Sequence, residues 1–350
     1  MSRLRKTIHT AENNFDSVKL KIKNALNLFD PIIIFPYRGY GTGNKAWMKG
    51  RVLEVEDIIH TDVKHPNTFW YNLRKIWKRF ESDEIPGVEI EGVLSGIKAN
   101  AVTDDEGYFN LEFEGPSDWQ LNEGWQTVKL KITKMPYGLK HEDSTQGEIL
   151  ISNGGDRFGI ISDVDDTILK SAAVNPIRKL QIMLTQNAEN RVPFEGVEEL
   201  YSQLHLDGKN PLFFVSGSSW NLYDLLESFC THHKIPPAPF FLRDLGLRPD
   251  QWLKQDTSPY KMEYITHILE VFRHLRFILI GDSGQKDPEI YRDICKRFPG
   301  RIMAVYIRHV DSEKRKRQLD KWSDDMSVPF LVTANSNDAL QHAKDNKWLE

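Results

Sequence analysis

Five short, almost wholly apolar runs in the second half of the chain, separated by segments with helical periodicity, constrain the fold most. They are Phe158–Ser162, Pro211–Val215, Phe240–Leu242, Phe277–Ile280 and Ile302–Ile307. A run that is apolar at nearly every position, not at alternate ones, suits a strand covered on both faces. Such strands alternating with helices make a parallel sheet with helices on each side. From about residue 156 onward the chain is therefore expected to be α/β. Ligands of open α/β sheets bind outside the carboxyl ends of the strands, and four strand ends here carry polar groups. Asp163 and Asp165 follow the first strand, Ser216 and Gly217 the second, and Arg243 and Asp244 the third. Asp282 follows the fourth, within GDSGQKD (281–287).

The first half reads differently. Short β-rich runs occur at Pro31–Phe35, Lys49–Glu56, Val88–Val93, Ala99–Val102, Tyr108–Phe113, Thr127–Thr133 and Gly147–Ser152, many divided by Gly- and Asp-rich turns. Phe109, Leu111 and Phe113 alternate with Asn110 and Glu112, the mark of a strand with one buried face. Several such strands predict a β-sandwich over residues 31–152. Residues 66–80 interrupt it with an aromatic, basic, helical insertion. Ahead of it, Phe15, Val18, Ile22, Ala25, Leu26 and Phe29 recur at helical spacing, with Lys19, Lys21 and Lys23 beside them. That helix is expected to dock on the body of the protein; the alternative is a basic amphipathic helix on an anionic bilayer. The expected division is 1–30 amphipathic helix, 31–152 β-sandwich and 153–350 catalytic domain.

Composition narrows the function. Hydrophobic residues make up 40% and charged residues 27% of 350, with a formal net charge of −4. No global electrostatic case exists for nucleic acid. Two cysteines, Cys230 and Cys295, make neither a disulfide framework nor a zinc cluster. The opening MSRLRKTIHT lacks the apolar core of a secretory signal, and no stretch approaches the ~18 apolar residues of a membrane span. A cytoplasmic protein is expected, with peripheral contact at a membrane surface as an additional expectation.

The sharpest local signal is FGIISDVDDTIL (158–169), a strand running straight into Asp163–Val164–Asp165–Asp166–Thr167. Packed carboxylates repel one another and call for a cation, and oxygen-only ligands favour a hard ion such as Mg²⁺. A carboxylate can attack phosphorus and divide hydrolysis into two steps. A second acid two residues away can protonate the leaving oxygen and then deprotonate water. A hydroxyl and an ammonium suit the phosphoryl oxygens.

Asp163–Val164–Asp165–Asp166–Thr167 resembles the DxDxT signature of the haloacid dehalogenase superfamily, and Ser216, Lys261, Gly281–Asp282 and Asp287 follow in the superfamily order. The runs 157–169, 212–229, 240–246, 258–269 and 277–291 resemble, more narrowly, the actin-patch-type phosphatidate phosphatase family. The resemblance covers about 157–310, and less sharply the PYRGYGTG (36–43) opening upstream. It implies a Rossmann-like catalytic domain and a Mg²⁺-dependent phosphatase acting on phosphatidate. Asp163 would be the nucleophile and a metal ligand, and Asp165 the general acid/base and a metal ligand through its carbonyl. Thr167 would position that loop. Ser216 with Gly217, Lys261 and Arg243 would face substrate, Asp282 would be the remaining metal carboxylate, and Asp287 would orient Lys261 or water. Lys286 rivals Lys261 for the phosphate.

Other features of the sequence point to plainer roles. Gly39–Gly41–Gly43 followed by Asn44–Lys45–Ala46 fails the P-loop pattern and reads as a flexible turn between strands. His232 and His233 beside Cys230 read as helix-end residues, and Ser216–Gly217–Ser218 lacks the G-x-S-x-G elbow. Lys314–Arg315–Lys316–Arg317 reads as a solvated helix face, with anionic lipid as the alternative. Trp220 and Tyr223 are expected near the catalytic mouth, although Trp220 suits a core equally. Some 48 residues separate Thr167 from Ser216 and 44 separate Ser216 from Lys261, which leaves little chain for a large lid. Two other readings stay open: a phosphatase for a phosphoprotein, nucleotide or soluble metabolite, and a non-catalytic lipid- or protein-binding module.

Overall fold

The computed structural model describes residues 32–54, 85–136, 143–154, 158–164, 196–243 and 258–349. The expected helix at 14–29, the basic aromatic segment at 66–80, and Asp165, Asp166, Thr167 and Asp244 lie outside the described residues. Two sheets organise the rest.

The first sheet holds β1 (Ile32–Pro36), β2 (Gly39–Gly41), β3 (Lys45–Glu54), β4 (Glu89–Leu94), β5 (Ile97–Val102), β6 (Tyr108–Glu114), β7 (Gly124–Lys134) and β8 (Ser144–Ile151). Its order is β1-β3-β2-β8-β7-β4-β5, with β6 on the other edge of β3. Every pairing is antiparallel except β2 with β8. β4 and β5 meet through Ser95 and Gly96, both at positive φ (45° and 86°), as a tight two-residue hairpin requires. β6 keeps the alternation read from its sequence, with Phe109, Leu111 and Phe113 buried and Asn110, Glu112 and Glu114 exposed. A side chain at Gly92 of β4 would strike Leu111 and Phe113 of β6 at 2.7 and 2.9 Å. The sheet therefore curls over its own apolar core, which Ile34, Met48, Ile90, Leu130 and Ile149 share with those residues.

One expectation needs correcting. Gly39 to Gly41 are not a plain turn but strand β2, wedged between β3 and β8. The glycines are there for closeness: a Cβ on Gly39 would lie 2.3 Å from the Trp47 carbonyl.

The second sheet is six-stranded and wholly parallel: β9 (Gly159–Ser162), β10 (Leu212–Ser219), β11 (Phe240–Arg243), β12 (Phe277–Asp282), β13 (Ile302–Arg308) and β14 (Phe330–Thr333). Its order, β11-β10-β9-β12-β13-β14, reverses direction at β9. Successive residues of each strand enter opposite layers. Ile160, Phe214, Ile278 and Tyr306 join α1 (Val197–His205), α2 (Tyr223–His232) and, later in the chain, the helix at Ser336–Asp345. Ile161, Phe213, Leu279 and Val305 join α3 (Ser258–Val271), α4 (Asp287–Arg297) and α5 (Glu313–Asp325). Ser336–Asp345 is α6. Both faces are thus covered, which is why the strands are apolar throughout.

Candidate functional site

The crevice opens where the sheet order reverses, at the carboxyl ends of β9 and β12. Asp163 is the first residue past β9, and its N–H donates to the Ile280 carbonyl of β12 at 2.9 Å. The Ser162 hydroxyl beneath it donates to the Asp163 carbonyl at 2.7 Å and meets the Tyr201 hydroxyl at 2.5 Å. Asp282 ends β12, and its Oδ1 accepts the N–H groups of Gly284 and Gln285 at 2.6 and 3.0 Å. Asp287 opens α4 and accepts the Asp282 N–H on Oδ2 at 3.3 Å.

Lys261, in the first turn of α3, ties these acids together. Its Nζ donates to Asp163 Oδ1 at 2.8 Å, Asp287 Oδ1 at 2.6 Å and Gln285 Oε1 at 3.4 Å. The amine is only 2% exposed. Burial by itself would lower its pKa, but the Asp163 and Asp287 carboxylates, by charge and by hydrogen bond, hold it above the ordinary lysine value. Arg308, in register with Asp282 across β12 and β13, is the next cation, and it donates to Ser336 Oγ at 2.6 Å. Burial lowers its pKa to about 10, against the pull of Tyr201 and Asp282.

Oxygens of Asp163, Asp282 and Asp287, all buried, lie within 4.8 Å of one another. Set against Lys261 and the neighbouring Arg308, three carboxylates still leave an excess of negative charge at a buried site. That donor set fits a divalent cation, and an all-oxygen set suits a hard one. Charge excess at this density is costly without one.

The remaining candidates fall as follows. Ser216 is buried on β10, the strand beside β9, with Phe214 in register with Ser162; its Oγ accepts the Ser218 N–H at 2.9 Å. Gly217 is half-buried next to it. Arg243 ends β11, buried, its guanidinium 4.7 Å from the centre of the Tyr260 ring, and Tyr260 is the residue before Lys261 on α3. Lys286 is exposed, unlike Lys261. Trp220, half-buried, stacks on Tyr37 of the first sheet unit at 5.0 Å, and Tyr223 packs on the same ring at 4.3 Å. In the basic run, Arg315 is committed to Glu289, through both carboxylate oxygens at 2.7 and 2.8 Å, while Lys314 and Arg317 are exposed. Gln285 and Arg308 escaped the sequence reading. Gln285 sits inside GDSGQKD and was within reach of it; Arg308 follows an apolar strand, the same signal that marked Asp282.

Comparison with known proteins bears on this half of the chain. Residues 158–309 match the family described as phosphatidate phosphatase APP1, catalytic domain. Over 152 residues, 43% of this chain, the sequence is 32% identical to phosphatidate phosphatase APP1 of Saccharomyces cerevisiae. Over 220 residues, 61% of the chain, it is 28% identical to an uncharacterized protein of Schizosaccharomyces pombe. The matches span only 26% and 35% of those two relatives' own lengths. Among solved structures, a Pnkp1/Rnl/Hen1 complex aligns with 57% of this chain and 56% of its own, at 14% identity and a TM-score of 0.28. No helix among the described residues is long and apolar enough to cross a membrane. The stretch that carries Asp163, Ser216, Lys261, Asp282 and Asp287 is thus similar in sequence to the catalytic domain of phosphatidate phosphatase APP1.

Proposed function

We propose that this chain is a Mg²⁺-dependent phosphatase that hydrolyses phosphatidate to diacylglycerol and inorganic phosphate through an aspartyl-phosphate on Asp163. One observation carries the reading: Lys261 Nζ bridges Asp163 and Asp287 in a buried crevice that Asp282 also enters. Nothing about a stable core calls for three acids and one amine at the reversal point of a parallel sheet. Similarity to a phosphatidate phosphatase catalytic domain supplies the substrate class.

The fold reading goes with it. The reversed order of the parallel sheet supports a Rossmann-like, haloacid dehalogenase-type domain over 153–350. The curled first sheet supports a β-sandwich accessory domain over 31–152, with residues 1–30 as its leading helix.

In this mechanism an Asp163 carboxylate oxygen attacks phosphorus as the phosphorus–oxygen bond to the diacylglycerol breaks. Asp165, two residues on, gives its proton to the leaving oxygen and then takes one from the water that cleaves the acyl phosphate. Thr167 positions that loop. Lys261 and Ser216 hold phosphoryl oxygens, the ammonium being already beside the attacking atom; Gly217 and Arg243 complete the substrate side. Asp163, Asp282 and the carbonyl of Asp165 would hold Mg²⁺, whose positive charge offsets the charge on the phosphoryl group. Asp287 keeps Lys261 pointed at Asp163.

The test is phosphate release from phosphatidate vesicles beside soluble esters, with Mg²⁺ and with EDTA. Asp163→Asn should fold normally and lose at least ~10³-fold in rate. Residual turnover near the wild-type rate would remove Asp163 as nucleophile. Preference for a soluble ester would redirect the substrate, and vesicle binding without phosphate release would favour a binding module.

A further inference from the structure

The first sheet unit grips the chain just past Ser216 at one side chain. The Tyr108 hydroxyl donates to Asn221 Oδ1 at 2.7 Å, and Arg51 Nη1 donates to the same oxygen at 3.0 Å. Both donors are themselves fixed. Arg51 Nε holds the Glu106 carbonyl at 2.9 Å, and the Arg51 guanidinium and the Lys49 ammonium each lie 4.6 Å from the Tyr108 ring centre. Tyr108 and Arg51 are buried. Neighbouring residues add a second hold: Trp220 stacks on Tyr37, and the Arg38 N–H donates to the Tyr223 hydroxyl at 2.9 Å.

Between this grip and the crevice lies one tightly wound segment. Ser218 N–H donates to Ser216 Oγ and Asn221 N–H donates to Ser219 Oγ, at 2.9 and 3.3 Å, so Ser216 and Asn221 are joined by two successive side-chain turns. β10 loses regular register with β11 between Val215 and Ser219, so the parallel sheet alone does not fix this stretch. We infer that Asn221, held by Tyr108 and Arg51, is a positioning residue: the accessory unit sets the placement of Ser216 toward the phosphoryl group. This rests on the phosphatase reading of Ser216 and gives the first sheet a part in catalysis. Displacement of a phosphate-holding hydroxyl by about 1 Å can cost ~10²-fold in rate without unfolding anything.

A contact at the amino ends of the second sheet's strands, ahead of β12, serves as the comparison. Ser152 Oγ meets His274 Nε2 at 3.1 Å, where His274 lies between α3 and the start of β12. Steady-state rates, thermal midpoints and calorimetric binding of inorganic phosphate to the Mg²⁺-loaded full chain would be measured for four variants. Asn221→Ala should lower kcat by ~10-fold or more with KM changed less than ~3-fold, and weaken phosphate binding. Asn221→Asp keeps an acceptor for both donors and should recover most of the rate. Tyr108→Phe should lower kcat, and its effect should not add to that of Asn221→Ala. Ser152→Ala should shift the thermal midpoint as much as Tyr108→Phe yet leave kcat at the wild-type value. The inference is overturned if Asn221→Ala keeps kcat and phosphate affinity within twofold of wild type. It is equally overturned if Ser152→Ala matches its rate loss, since destabilisation alone would then explain both. The two readings separate cleanly: a wild-type chain that releases no phosphate from any ester defeats the enzyme assignment, while the phosphate-binding comparison still decides the role of Asn221.

Discussion

At Lys261, burial and ion pairing pull in opposite directions. Removing the ammonium would strand the Asp163 and Asp287 carboxylates, both almost fully buried. Lys261→Met should therefore cost about 3–5 kcal/mol in EDTA, read from the urea unfolding midpoint. Added Mg²⁺ should restore part of that stability while phosphate release stays lost. A different titration is expected at the end of α2. Burial, helped by the charge of His232, lowers the pKa of His233 to about 4, against roughly 6.5 in an unfolded chain. Its neutral form is the one the fold accepts. Its contribution is thus complete above pH ~6.5 and lost as pH falls toward 4, because the unfolded chain binds the proton first. His233→Gln should flatten the drop in unfolding midpoint between pH 7 and 4.5, and an unchanged drop would place the acid sensitivity elsewhere.

Single elements hang on few residues. Leu319 is the one buried side chain of α5, and around it the helix is exposed or only part-buried. Leu319→Ala should cost about 2–5 kcal/mol in chemical denaturation, whereas Lys314→Ala and Arg317→Ala should stay within about 0.5 kcal/mol. How much of this was legible beforehand depended on what each element asks of its sequence. β9 to β13 were readable because a strand buried on both faces must be apolar at every step, and Asp163, Ser216, Arg243 and Asp282 sit at the ends of those runs, whereas Lys261 enters from a helix. β14 went unread: Phe330–Thr333 is four residues long, follows a proline and has only three apolar positions. β2 went unread because closeness to Trp47 and Ile149 demands glycine, and glycine in sequence suggests a turn. Asn221 with Tyr108 had no local signal at all; 113 residues separate them, and only the folded pairing of the two units brings them within 2.7 Å.

Across the whole molecule, two hydrogen-bonded sheets meet through Tyr37, Tyr108, Trp220 and Tyr223, which belong to one apolar cluster. Unfolding that spreads through this cluster should be a single transition, and a ligand bound to either unit should be felt by both. Mg²⁺ at ~100 times its dissociation constant should add about 2.7 kcal/mol to the stability of the chain. That increment would be read as a higher thermal midpoint than in EDTA. Asp282→Asn should shrink the difference; a full-sized shift in that variant would mean the ion binds elsewhere.

The amine that Lys261 places between Asp163 and Asp287 has one more consequence. Lys261 offsets part of the crevice's negative charge from within the chain, so the core can form before an ion arrives and the ion then relieves the remaining repulsion. Abundance and activation are then governed separately. Scarcity of divalent ions would leave a reservoir of intact, silent protein, ready to be switched on within the time an ion takes to diffuse in.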